Sequence, residues 1–193
     1  MKLKLKTLTV SLLALGLSST VFAKPVLQQS YKNIEEYKLD NGLKVILFEN
    51  NKESKVYMNM IYQTGSLNDP HGKGGMAHLL EHLAFKGTKN IQGEDFQKRL
   101  DQYTLTNNAS TDYYVTQYTN EVRAEKTAID EVLRLEAERM DKLVLQQKFV
   151  PAEIEIVKRE RELTSDQPFA ILIDQVFKGI YGNKDLGREP IGD

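Results

Sequence analysis

His78, Glu81 and His82 stand in the run His-Leu-Leu-Glu-His, and a chain carrying this run must fold so that three polar side chains share one enclosed space. On a helix, residues three and four apart lie on one face, so both imidazoles and the carboxylate point into the same small volume. Gly74-Gly75-Met76-Ala77 leads into the run, and Leu79, Leu80, Leu83 and Phe85 anchor it with apolar side chains. The helix is therefore expected to be buried. Buried polar groups need partners, and a metal ion is one. Two histidines one turn apart suit zinc, which in a catalytic site takes three protein ligands, leaves the fourth position to water and lowers the pKa of that water to about 7. Glu81, beside that water, is placed to take its proton. The order is the reverse of His-Glu-x-x-His, with the same division between ligands and base. The plainer alternative, a structural helix with His and Glu on its wet face, fits poorly with apolar residues between and around them.

Two histidines do not close a catalytic zinc site. His71, in the approach loop, is the only other histidine, so a carboxylate is expected as the third ligand. The stretch Glu153-Ile-Glu155-Ile-Val-Lys-Arg-Glu160-Arg-Glu162 offers four. Glu153 and Glu160 are two turns apart on one helix face.

A chain of 193 residues with 40% apolar and 27% charged residues is long enough, and ordinary enough in composition, to bury a globular core. Residues 1–23 are a separate matter. Lys2, Lys4 and Lys6 precede a largely apolar stretch that ends in Val21-Phe22-Ala23, the pattern of a secretory signal peptide cleaved before Lys24. An uncleaved membrane anchor is the competing reading, but the apolar stretch is short and broken by Gly16, Ser18, Ser19 and Thr20. Export to the periplasm of a Gram-negative bacterium is expected, with no membrane span after signal removal. Without the first 23 residues, 23 Lys and Arg face 27 Asp and Glu, a net charge of −4, which offers no basic field to nucleic acid. The absence of cysteine excludes disulfides, thiolate zinc sites and a cysteine nucleophile.

Residues 24–35 read as an irregular lead-in. Tyr37 to Phe48 reads as two strands around Asn41-Gly42, a strong hairpin signal, and residues 56–62 continue in strand character. Residues 65–75 form a loop delivering the chain to the metal helix, which is expected to end near Gly87. Residues 94–102 read as a short amphipathic helix, and residues 105–118, rich in Thr, Tyr and Val, as a strand. Residues 124–145 carry an apolar stripe of Ile129, Val132, Leu133, Leu135, Ala137, Met140, Leu143 and Val144, a long helix. Helices are also expected over residues 152–163, after Pro151, and 169–181, before Gly182. Strands interleaved with helices but opened by a hairpin indicate an α+β fold, a partly antiparallel sheet with helices packed on it.

Taken together, these residues resemble the amino-terminal half of a pitrilysin/insulinase-family zinc metallopeptidase over residues 36–192. The resemblance rests on the inverted motif, on a Glu-x6-Glu helix placed so that 77 residues separate His82 from Glu160, and on the run from Gly75 to Thr88. Asn41-Gly42-Leu43, Asn108-Ala109, Thr116-x-Tyr118, Leu135-Glu-Ala-Glu-Arg139-Met140 and Gly187-Arg188-x-Pro190-Ile191-Gly192 add to it. Tyr114, where the family often has Asp, and Lys184-Asp185, in place of a His-Pro pair, depart from it. The resemblance implies one Zn2+ per chain held by His78, His82 and Glu160, with Glu153 supporting the ligands and Glu81 as the catalytic base. It implies a peptide substrate lying along an edge strand at Asn108, Ala109 and Ser110. It also implies a first domain that continues past Asp193 and a partner, either a carboxy-terminal half of the same enzyme or a homologous subunit, that closes over the peptide. A non-catalytic metal-binding or chaperone-like subunit is the alternative function, against which the intact motif argues.

Overall fold

The computed structural model describes residues 24–192, so the proposed signal peptide at residues 1–23 lies outside the described residues. The chain divides into two units, Met1–Lys52 and Glu53–Asp193. The described part of the first is a three-stranded antiparallel sheet, β1 (Val26–Tyr31), β2 (Ile34–Lys38) and β3 (Lys44–Phe48), in that order. The expected hairpin at Asn41-Gly42 is present: Lys38 pairs with Lys44 across a loop in which Gly42 has φ 90° and Asn41 Oδ1 accepts from Leu43 N–H at 3.1 Å. The irregular lead-in is corrected, because Val26–Tyr31 is a strand paired with β2. Its turn to β2 is made by Lys32 and Asn33, with Lys32 at φ 55°, a left-handed position without the glycine that usually signals it.

The second unit is built on an antiparallel sheet of β4 (Lys55–Tyr62), β5 (Thr106–Thr111) and β6 (Thr116–Arg123), in the order β4-β6-β5. The single strand expected over residues 105–118 is two strands. Asp112-Tyr113-Tyr114-Val115 makes the turn, closed by Asp112 N–H on Val115 O at 2.8 Å, and none of the four is Gly, Pro or Asn, so the usual turn punctuation is missing. Along central β6, Thr116, Tyr118, Asn120 and Val122 are buried and alternate with half-buried residues, the period of two that puts one face against the helices.

Five helices follow the expected segments: α1 (Met76–Leu83), α2 (Gly93–Tyr103), α3 (Lys126–Lys142), α4 (Val150–Ser165) and α5 (Pro168–Tyr181). The fold class is α+β as expected, and both sheets of the described residues are antiparallel throughout. α1 ends earlier than Gly87, since Ala84 caps it and the chain turns back. Phe96 and Leu100 of α2 pack with Ile91 and with Leu135 of α3, while Val122 of β6 packs with Ala128 and Val132. Full burial of each of these Ile, Leu, Val and Phe side chains stabilises by about 1.5–3 kcal/mol.

The buried face of α3 keeps Val132 and Leu135 of the expected stripe and departs from the rest of it. Leu133 and Met140 are exposed, whereas Glu136 and Arg139 lie inside. Arg139 donates to both oxygens of Glu136 at 2.9 and 3.0 Å, and Asn120 Nδ2 donates to Glu136 Oε1 at 2.8 Å. The guanidinium centre stands 4.0 Å from the ring centroid of Tyr118 and 4.6 Å from that of Phe85, so aromatic faces replace part of its hydration. Burial pushes the Tyr118 hydroxyl far above its ordinary pKa. α5 leaves Phe169, Leu172 and Ile180 exposed, with Phe177 stacked on Tyr113 at 6.0 Å.

Removing one member of a buried ion pair strands the other. Arg139→Met is expected to lower the unfolding free energy by about 3–5 kcal/mol, and replacing Glu136 and Arg139 together by apolar residues to cost less than Arg139→Met alone. Urea denaturation of the parent and the two variants checks both.

Candidate metal centre

α1 is fixed at its start before any ligand is considered. Gly75, at φ 87°, turns the chain into the helix, and a Cβ there would collide with the carbonyl oxygen of Ile191. The Asp69 carboxylate accepts from the N–H groups of Gly75 at 2.8 Å, Met76 at 3.2 Å and Ala77 at 2.8 Å. These are donors that a helix cannot satisfy internally, and an anion is favoured there. Sequence spacing does not mark Asp69 as this cap, because the helix begins seven residues later.

The anchored helix presents His78, Glu81 and His82 inward. His78 and Glu81 are buried at 8% and 7% exposure, and the imidazoles meet edge to face with ring centroids 4.7 Å apart. α4 brings its carboxylates to them: Glu160 Oε2 lies 3.3 Å from His82 Nε2 and 3.9 Å from His78 Nε2. Of the four carboxylates on that helix, Glu153 and Glu160 reach the histidines. Glu155 turns outward to pair with Lys158 at 2.8 Å, and Glu162 is exposed.

His78, His82 and Glu160 form a group whose ligand atoms all lie within 4.8 Å of one another. Donors held at about 2.0–2.1 Å by a tetrahedral zinc stand about 3.3 Å apart; His82 and Glu160 are at that spacing, and Glu160 and His78 are wider at 3.9 Å. The protonation pattern fits as well. Glu153 Oε2 sits 3.3 Å from His82 Nδ1; with the ring proton on Nδ1 given to that carboxylate, Nε2 would be left to bind a metal. Burial pushes the His78 imidazole below its ordinary pKa, which favours the neutral form that a metal needs. Two imidazole nitrogens and a carboxylate oxygen are donor types that zinc takes, so the converging set suits a divalent metal.

Three residues outside the motif tune this arrangement. Lys86 Nζ stands 2.7 Å from Glu153 Oε1, holding the carboxylate that orients His82. Thr111 Oγ1 donates to Glu81 Oε2 at 2.7 Å, and Thr116 Oγ1 donates to Thr64 O at 3.0 Å. None of Asn108, Ala109 and Ser110 hydrogen-bonds to the base or the histidines through its side chain among the described residues. They occupy β5, the edge of its sheet, with Ser110 Oγ accepting from Gln117 Nε2 at 3.0 Å. Beside Glu81 opens an apolar cavity of about 550 Å³, lined in part by Tyr62, Met76, Leu80, Met140 and Leu145. His78 and His82 do not line it.

A sequence model of the family Insulinase (Peptidase family M16) matches residues 44–193. The chain belongs to this family. Its relatives include "Zinc protease PqqE" of Helicobacter pylori, 33% identical over 184 residues that make up 92% of this chain and 41% of that protein. A crystal structure of a protease from Helicobacter pylori superposes with a TM-score of 0.75 at 32% identity, over 87% of this chain and 39% of that one. The periplasmic protease PqqL from Escherichia coli shares the fold with a TM-score of 0.77 at 23% identity, over 87% of this chain and 19% of the other. The chain thus spans about two fifths of the length of its Helicobacter relative. The names of its relatives make this insulinase-family chain a zinc-protease homologue, and the His-His-Glu group is where it can hold a metal.

Glu160→Gln is expected to abolish stoichiometric zinc binding in the purified protein, and Glu153→Gln to weaken it by about 10- to 100-fold. Metal analysis with a competing chelator measures both, and unchanged binding in Glu160→Gln removes that residue from the ligand set.

Proposed function

We propose that this chain carries the catalytic centre of a zinc endopeptidase that cleaves peptides or unfolded segments, with His78, His82 and Glu160 as metal ligands and Glu81 as general base. The observation that most supports this reading is the placement of Glu81. It is buried next to the three-residue cluster yet outside it, and a hydroxyl holds it there. When bound, zinc supplies a Lewis acid that polarises the scissile carbonyl and makes water a stronger acid.

The remaining steps belong to the chain. Glu81 takes a proton from the attacking water and passes it to the leaving amine, so one carboxylate acts first as base and then as acid. Glu153, held by Lys86, keeps His82 in the tautomer whose Nε2 faces the site. β5 offers its free edge to an extended peptide, so that backbone hydrogen bonds around Asn108, Ala109 and Ser110 give affinity with little dependence on substrate sequence. A carboxy-terminal half or a homologous partner subunit closes over the peptide and supplies donors to the developing oxyanion; the greater length of the relatives supports this. The periplasmic Escherichia coli structure of the same fold supports export, and no helix among the described residues is long and apolar enough to cross a membrane.

Glu81→Gln in the intact protein is expected to retain zinc and lose peptidase activity, because the amide keeps the shape and removes the base. Retained cleavage sinks the catalytic reading, and loss of the metal makes Glu81 a ligand instead. A metal-binding subunit without catalysis shows no cleavage in either protein. For export, amino-terminal sequencing of envelope protein is expected to begin at Lys24, and an intact leader in the membrane fraction supports the anchor.

A further inference from the structure

The general base depends on a second side chain, and the chemistry fixes which atom gives and which receives. Thr111 Oγ1 is 2.7 Å from Glu81 Oε2 and 3.3 Å from Thr116 Oγ1, while Thr116 Oγ1 is 3.0 Å from Thr64 O. A carboxylate and a carbonyl only accept. Each hydroxyl has one proton, so Thr111 directs its proton to Glu81 and Thr116 directs its own to Thr64.

The donor is also held still. Thr111 and Thr116 are register partners at the end of the β5–β6 hairpin, and the turn beyond them is tied by Ser66 N–H on Asp112 O and Leu67 N–H on Tyr113 O, both at 3.0 Å. Among the described residues, Oε2 is the Glu81 oxygen with a hydrogen-bond partner. Oε1 remains free for proton transfer.

We propose that Thr111 is a positioning residue for Glu81: its hydroxyl holds one carboxylate oxygen away from the His78–His82–Glu160 cluster, so that Glu81 acts as a base and does not become a fourth ligand. The inference rests on the reading of Glu81 as base. It carries a consequence for substrate binding, because Thr111 directly follows Asn108, Ala109 and Ser110 on β5. A peptide that pairs with this edge strand loads the same strand that orients the base, so peptide and base are placed by one element.

Thr111→Val removes the hydroxyl at nearly constant shape, and Thr111→Ser keeps it. In the intact protein, Thr111→Val is expected to retain one zinc and an unchanged KM while kcat falls about 10- to 100-fold, the worth of a hydrogen bond to a charged acceptor. Thr111→Ser is expected to stay within about threefold of the parent, well inside that worth. Because Thr111 acts through Glu81, Thr111→Val adds no further loss in a Glu81→Gln background. An equal fall in kcat for Thr111→Ser and Thr111→Val, release of zinc from Thr111→Val, or a parental kcat in Thr111→Val overturns the proposal. If Glu81→Gln is inactive while Thr111→Val is fully active, this inference alone fails; an active Glu81→Gln overturns both it and the base assignment.

Discussion

Two imidazole nitrogens and a carboxylate oxygen converge on one point, and the surrounding structure holds them there. His82 Nε2 and Glu160 Oε2 face each other at 3.3 Å because the opposite ring nitrogen of His82 is committed to Glu153. That carboxylate is committed in turn to Lys86. A divalent cation at that point would satisfy all three donors at once, so a donor set held in place by folding is preorganised for metal.

The elements around the site work as supports for it. Asp69 fixes the start of α1, and the close approach of the Gly75 backbone to Ile191 fixes its lateral position in a way that any larger residue would upset. Arg139 joins Phe85, directly after α1, to Tyr118 of β6 and Glu136 of α3. A buried ion pair is weak evidence for stability, but this one ties together the sheet, the long helix and the segment leaving the metal helix. We read it as a registration device for those three elements.

Much of this was legible in the sequence where chemistry is local. The spacing of His78, Glu81 and His82 and the helical period of Glu153 and Glu160 placed five side chains correctly on their faces, since both rest on neighbours three, four or seven residues apart. What could not be read there depends on pairing across long separations. Thr111 reaches Glu81 across thirty positions, and nothing in Ser-Thr-Asp marks that threonine as a donor. The strands at Val26–Tyr31 and Thr116–Arg123 were obscured because their turns use Lys32-Asn33 and Asp112-Tyr113-Tyr114-Val115, without glycine or proline. On α3, Val132 and Leu135 of the apolar stripe are buried as expected, but Leu133 and Met140 are exposed and Glu136 and Arg139 take buried positions beside them, a placement that depends on their partners.

The central claim is that three side chains hold the metal and a fourth is kept out of its coordination. Anomalous diffraction at the zinc edge from crystals of the zinc-loaded protein tests this directly. One peak is expected within bonding distance of nitrogen atoms of His78 and His82 and a carboxylate oxygen of Glu160, with Glu153 on the far nitrogen of His82 and Glu81 unbonded to the metal. A peak bonded to Glu81 or Glu153, or zinc held elsewhere on the chain, contradicts it.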